Sequence, residues 1–219
     1  MDTLDTGDLL LFNNHSHGIF GLFTSLIKFG TQSKYSHIGM ILKNPTFIHP
    51  SLKGTFVWES SYNGLPDPQD GKIKLGVQIT PLHELIEEYK KTNGHIYVRK
   101  LKIKSESRLE CFNELLVTLL RKEIFNDKIM NKIHNTVYDK PYDIVPKDWI
   151  EALFRKDDKP QKTDRFWCSA LVGYIYTQVG ILEKSTDWSV MRPSDFSVEL
   201  EKLNYTGKCF FEKKEIILF

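Results

Sequence analysis

Cys168 stands in the run Asp164-Arg165-Phe166-Trp167-Cys168-Ser169-Ala170-Leu171-Val172. Apolar residues then recur at helical spacing, Leu171, Val172, Ile175, Tyr176 and Val179, with Gly180 behind them. The spacing predicts a helix with a buried stripe that stops at the glycine and carries the cysteine in its first turn. Unsatisfied backbone N–H groups and the positive end of the helix dipole favour thiolate over thiol there, the condition a sulfur nucleophile needs. The competing reading is a free cysteine packed as a small hydrophobe.

Such a nucleophile requires a base to take its proton and a third group to orient that base. Seven histidines compete for the first role. His15 and His17 share a polar loop and make a weak metal signal, so no metal is expected. His49 precedes Pro50 in a turn, His83 and His134 fall in charged helical segments, and His95 lies in a glycine-containing turn. His37 differs, because it opens the apolar strand Ser36-His37-Ile38-Gly39-Met40-Ile41-Leu42. A strand would hold its ring at the sheet end, and Gly39 leaves room for a close approach. A hydrogen-bonded core histidine fits the same pattern. Glu59, in Phe56-Val57-Trp58-Glu59-Ser60, is a carboxylate in an aromatic strand. Burial there demands a partner such as an imidazole, unless the side chain points to solvent. Asp8 also adjoins an apolar strand, in a Gly-Asp pair that equally suits a plain turn.

The elements that must position these residues are legible in outline. Leu9–Phe12, 36–42 and 55–60 read as strands, 63–76 as a long loop of Gly, Pro and Asp, and 77–79 as another strand. Pro81 suits the first position of a helix over 81–91. Residues 96–101 alternate like a half-buried strand, and 106–125 carry an amphipathic pattern through Leu109, Phe112, Leu115, Leu116, Leu119 and Leu120. Residues 18–29 suit a short apolar helix. From about 126 to 165 the chain reads as loops plus a short helix near 147–155. A short helix follows Pro193, and a last strand lies near 208–218. Strands in the first half flanked by helices favour α+β with a mostly antiparallel sheet.

Composition narrows the classes. A chain of 219 residues, 41% hydrophobic and 26% charged, is long enough for a sizeable core without staples. A net charge of +2 with dispersed lysines argues against nucleic acid as a partner. Three widely spaced cysteines, Cys111, Cys168 and Cys209, suggest neither a zinc knuckle nor a disulfide framework. Their odd number fits a reducing compartment. The acidic start Met1-Asp2-Thr3-Leu4-Asp5 is not a signal peptide, and no run is long enough to span a bilayer. A cytoplasmic location is the expectation. The charged run 155–159 reads as a solvated loop.

Taken in chain order, Gly7-Asp8-Leu9-Leu10, Tyr35-Ser36-His37-Ile38-Gly39-Met40, Val57-Trp58-Glu59-Ser60, Lys140-Pro141-Tyr142-Asp143 and Trp167-Cys168-Ser169-Ala170-Leu171-Val172 resemble a known family. It is the circularly permuted branch of the NlpC/P60 superfamily of papain-like cysteine hydrolases, the YiiX-like enzymes, with relatives in bacteria and large DNA viruses. The likeness covers roughly residues 6–200 and rests on the joint order of the motifs, with histidine and glutamate ahead of the cysteine. It implies a permuted papain-like fold of α+β class, a mostly antiparallel sheet or half-barrel packed against the helix that carries the cysteine. One such domain over 1–219 is expected, with an elaboration at about 126–163.

Residue by residue, the resemblance implies Cys168 as nucleophile, His37 as general base and Glu59 as the group orienting the imidazole. Tyr35 and Asp8 match positions near the site, and Ser169 adjoins the nucleophile. These three are the expected substrate-binding residues, although a packed aromatic is the competing reading for Tyr35. Backbone N–H groups at Cys168 are candidates for an oxyanion site. Tyr142 and Asp143 match a motif read as loop support. The implied activity is hydrolysis of an amide bond in a peptide or amino-acid conjugate through an acyl-enzyme, without a cofactor. The alternative substrates are lipid-like. A thiol enzyme acting on lipid acyl groups would use 18–29 to line an acyl groove, but the chain lacks the Asn-Cys-Glu-His-Phe signature of that related branch. A non-catalytic binding or structural protein that keeps the fold is the third reading.

Overall fold

Continuous apolar runs such as Leu9-Leu10-Leu11-Phe12 suit strands covered on both faces, since alternate side chains must each find a core. The computed structural model describes residues 4–13, 33–104, 110–144 and 161–218, the side chains of 110–113 excepted. The readings placed on His15, His17, 18–29, 147–155, 155–159 and the Cys111 side chain lie outside the described residues.

Six strands form one antiparallel sheet: β1 (Leu9–Asn13), β2 (His37–Lys43), β3 (Thr55–Ser61), β4 (Gly76–Pro81), β5 (His95–Arg99) and β8 (Ile216–Ile217), in the order β4-β3-β2-β1-β5-β8. Register sets Phe12 across from His37, Met40 across from Trp58 and Glu59 across from Gln78. With α1 (Leu82–Lys91), α2 (Glu110–Ile124), α3 (Asp127–Val137) and α4 (Cys168–Gln178) the class is α+β.

The two faces carry separate cores. Leu9, Leu11, Ile38, Met40, Trp58 and Ile79 join the residues of α3 and α4, while Leu10, Phe12, Ile41, Val57, Ile96 and Val98 join those of α1. Helix α1 buries Leu82, Leu85 and Ile86, spaced i, i+3, i+4, each contributing about 1.5–3 kcal/mol. Pro81 is the residue before this helix and the last of β4 rather than the first helical position.

Helix α4 is buried at every residue from Cys168 to Thr177, so it has no polar face to set off the expected stripe. It ends as expected at Gly180, whose φ of +76° suits glycine. The Ile181 N–H then donates to Tyr176 O at 2.9 Å and the Gly180 N–H to Thr177 O at 3.2 Å, a Schellman closure.

Four expectations need correction. Helix α3 replaces the start of the expected loop at 126–165. Asn126 caps it by accepting the Ile129 N–H at 3.1 Å, and only Met130, Ile133 and Val137 are buried, a stripe too thin to stand out among Lys, Asn and His. The single strand expected at 96–101 is two, β5 and β6 (Leu101–Ile103), because Asp8 Oδ1 takes the Leu101 N–H at 3.0 Å and turns the chain off the main sheet. The last strand likewise divides into β7 (Cys209–Phe211), which pairs with β6, and β8. Leu115 and Leu119 of α2 are exposed, since that helix is tied down at its far end, where Arg121 donates to Thr6 O and Leu101 O.

Candidate active site

The sheet offers His37 at the first position of β2, where the ring can extend past the strand end while its backbone remains in the ladder. Gly39 permits the neighbouring strand to close in. A Cβ at 39 would lie 2.5 Å from Val57 Cγ1 and 3.5 Å from Glu59 Cβ. Glu59 on β3 points to the same side, and His37 Nε2 lies 2.6 Å from Glu59 Oε2. The Glu59 side chain is 1% exposed and the His37 side chain 16%. A carboxylate this deep needs donors, and it has two more: Thr80 Oγ1 donates to Oε1 at 2.7 Å and Asn63 Nδ2 at 2.9 Å.

Cys168 comes from the opposite cover of the sheet, at the first residue of α4, and is 2% exposed and unbridged. Its thiol lies close enough to the His37 ring to bear on that ring's protonation. Because Nε2 faces Glu59, Nδ1 is the nitrogen left for sulfur. Burial by itself lowers the His37 pKa. Hydrogen bonds to Cys168 and Glu59, and the charges of both, outweigh it and raise the pKa to about 10. An imidazolium therefore persists beside the sulfur through neutral pH, which is the counter-charge a thiolate requires.

Two tyrosines complete the surroundings. Tyr142 is buried near Cys168, and its pKa is pushed well up by burial and then by the charges of Cys168 and Asp143. Its backbone is held between β4 and the approach to α4: the Tyr142 N–H donates to Leu75 O at 3.1 Å and the Phe166 N–H to Pro141 O at 3.1 Å. Tyr89, from the last turn of α1, packs its ring 5.0 Å from Phe12, which stands 5.0 Å from the His37 ring. Burial, then the charges of Glu59 and Cys168, raise the Tyr89 pKa. Both hydroxyls stay protonated and able to donate.

The start of α4 carries no side-chain cap. Trp167 Nε1 and Ser169 Oγ both donate to Met191 O, at 3.2 Å and 2.7 Å, so neither residue beside the cysteine covers the helix end. Backbone N–H groups of the first turn are left for a ligand oxygen.

The structure thus brings Cys168, His37 and Glu59 together. Ser169 adjoins them but is buried with its hydroxyl committed to Met191. Tyr35 and Asp8 sit elsewhere. The Tyr35 hydroxyl donates to Glu215, and its ring meets Tyr97 edge-on at 5.4 Å. Asp8 receives Lys100, the Asp5 and Leu101 N–H groups and, at 3.6 Å, Arg121. It lies beside Gly7, whose carbonyl accepts from Tyr176 about 12 Å along α4 from Cys168. The resemblance placed both near the site; the partners they have here are parts of the scaffold.

Sequence reasoning missed Asn63, Thr80 and Tyr89, and read Tyr142 only as loop support. Thr80 had a signal, a polar residue two places from Gln78 on one face of Val77-Gln78-Ile79-Thr80. Asn63 had none within a loop rich in turn residues. Among the described residues, no group of three or more His, Cys, Asp or Glu is placed to hold a metal ion, and no helix is long and apolar enough to cross a membrane. No protein-family model matches the chain, and no curated protein matches it at a significant level.

Proposed function

We propose that the protein is a cysteine-dependent hydrolase of the permuted papain-like, NlpC/P60-related type, which cleaves an amide bond in a peptide or amino-acid conjugate. The observation that carries this reading is a single imidazole bonded to a buried carboxylate through Nε2 and electrostatically coupled to a helix-start thiol. The Cys168 thiolate attacks the carbonyl carbon, and the oxyanion that forms is met by N–H groups at the start of α4 and by the Tyr142 hydroxyl. The His37 imidazolium gives its proton to the leaving nitrogen as the C–N bond breaks, leaving a thioester on Cys168. His37 then takes a proton from water, the hydroxide displaces sulfur, and the acid product departs with thiolate and imidazolium restored. Glu59 keeps the ring in register and stabilises its charged form.

Screening reactive amide, ester and thioester probes against the wild type and Cys168→Ala tests the reading. An acyl adduct on Cys168, with turnover lost in the variant, is expected. Turnover that survives Cys168→Ala overturns it. The lipid-acyl alternative leaned on 18–29, outside the described residues. Phospholipid incubation followed by mass analysis of Cys168 tests it, and a lasting acyl adduct would favour acyl transfer over amide hydrolysis.

A further inference from the structure

We propose that Asn63 and Thr80 are positioning residues that lock the Glu59 carboxylate onto His37, so that the loop after β3 reaches the site through one side chain. The inference rests on the hydrolase reading above. Glu59 divides its two oxygens cleanly: Oε2 serves His37, and Oε1 accepts from Thr80 Oγ1 and Asn63 Nδ2. The directions of these bonds are fixed. The Leu65 N–H donates to Asn63 Oδ1 at 2.9 Å, which turns the amide nitrogen toward the carboxylate. That nitrogen also donates to Thr80 Oγ1 at 2.8 Å, leaving the hydroxyl proton for Glu59. The three groups form a closed ring in which each donor has one available acceptor arrangement.

Among the described residues, no other side chain donates to Glu59 Oε1. Gln78, directly across from Glu59, gives its amide to Ser61 Oγ at 2.9 Å. The loop that presents Asn63 is rigid at its far end, where the buried Lys74 ammonium bonds Asp67 and Asp70 at 2.9 Å each and lies 4.6 Å from the Tyr138 ring. A carboxylate anchored on one oxygen cannot rotate its other oxygen away from Nε2. Freed of those anchors, it would leave His37 part of the time.

The charge on His37 is readable without knowing the substrate. Iodoacetate is an anion drawn to an imidazolium beside the thiolate, whereas iodoacetamide is neutral, so the ratio of their rates at Cys168 reports the protonated ring. The groups acting on that ring are Cys168 and Glu59, with Phe12 packed beside it; Tyr89 and Tyr142, and Asp143 beside Tyr142, surround Cys168, and both tyrosine hydroxyls are held protonated by burial. Peptide-resolved mass spectrometry separates Cys168 from the other cysteines. In the wild type the ratio should fall as pH rises through about 10.

Thr80→Val, which removes only the hydroxyl, and Asn63→Ala should each move that midpoint down by about one pH unit, a tenfold weakening. Thr80→Ser should leave it in place. In a Glu59→Gln background neither change should have a further effect, because both act through the carboxylate. Asn63 is partly exposed in a loop, so its variant provides the readout if Thr80→Val fails to fold. A midpoint that stays or rises in folded Asn63→Ala overturns the proposal. A wild-type midpoint that is absent, or that survives His37→Ala, overturns the hydrolase reading instead.

Discussion

Asp8 and Glu59 are both buried carboxylates at the margin of apolar strands, 0% and 1% exposed, yet they are neutralised in opposite ways. Asp8 meets the cations Lys100 and Arg121 and two backbone N–H groups. Glu59 meets two neutral donors and one imidazole, the side chain whose proton can move. The first arrangement ties β1 to the β5–β6 corner and to α2. The second holds a proton next to a thiol. A buried carboxylate is thus poor evidence of chemistry until its partners are known, because permanent cations make it structural and a histidine makes it part of a relay.

The contrast breaks first on catalysis. Glu59→Gln should lower turnover of a reactive amide or ester probe by about 10²–10⁴-fold, the cost of leaving a catalytic imidazole without its orienting carboxylate, while lowering the melting temperature less than Asp8→Ala does. Asp8→Ala should do the reverse. It leaves Lys100 and Arg121 facing a void at the β5–β6 corner, a change costing about 3–5 kcal/mol in urea unfolding, while Cys168 alkylation in the folded fraction is unchanged. Equal losses of activity in the two variants would erase the distinction.

A smaller effect separates them by pH. His37 is raised from 6.5 to about 10, so the folded state holds that proton more tightly than the unfolded chain. Its stabilisation is complete below about 6.5 and is lost as pH rises through about 10. Unfolding midpoints across that window should decline in the wild type and decline less in Glu59→Gln, where one cause of the raised value is gone. Among the described residues Asp8 has no histidine partner, so Asp8→Ala should shift the whole curve without changing its slope there.

How much of this was visible beforehand follows from what each signal measures. The strands carrying His37 and Glu59 stood out because β-branched and aromatic residues crowd together, and the helix of Cys168 because its apolar run ends at Gly180. Pairing was not visible. Asp8 captures the Leu101 N–H from 93 residues away in sequence, and that one bond divides a strand which looked continuous. Helix α3 was hidden by composition, with three buried residues among polar ones. Thr80 and Asn63 lie 21 and 4 residues from Glu59, and only the antiparallel closure of β3 on β4 gathers them round one oxygen.

Tyr35 gives the smallest and sharpest test, because it sits two residues from His37 yet faces the other core. Alternation along an extended chain would put positions 35 and 37 on one side. However, β2 begins only at His37, and Tyr35 turns its hydroxyl to Glu215, which also accepts the Val198 N–H at 2.8 Å and lies 3.6 Å from Lys34. Glu215 therefore resembles Asp8, a carboxylate fastening the chain's end to the body. Tyr35→Phe removes one of its donors and keeps the ring against Tyr97, so it should cost about 1 kcal/mol of stability. Probe turnover and its KM should not move. A change in KM by tenfold with stability intact would mean that Tyr35 reaches substrate, and the division between the fastening carboxylates and Glu59 would then no longer follow the division between scaffold and site.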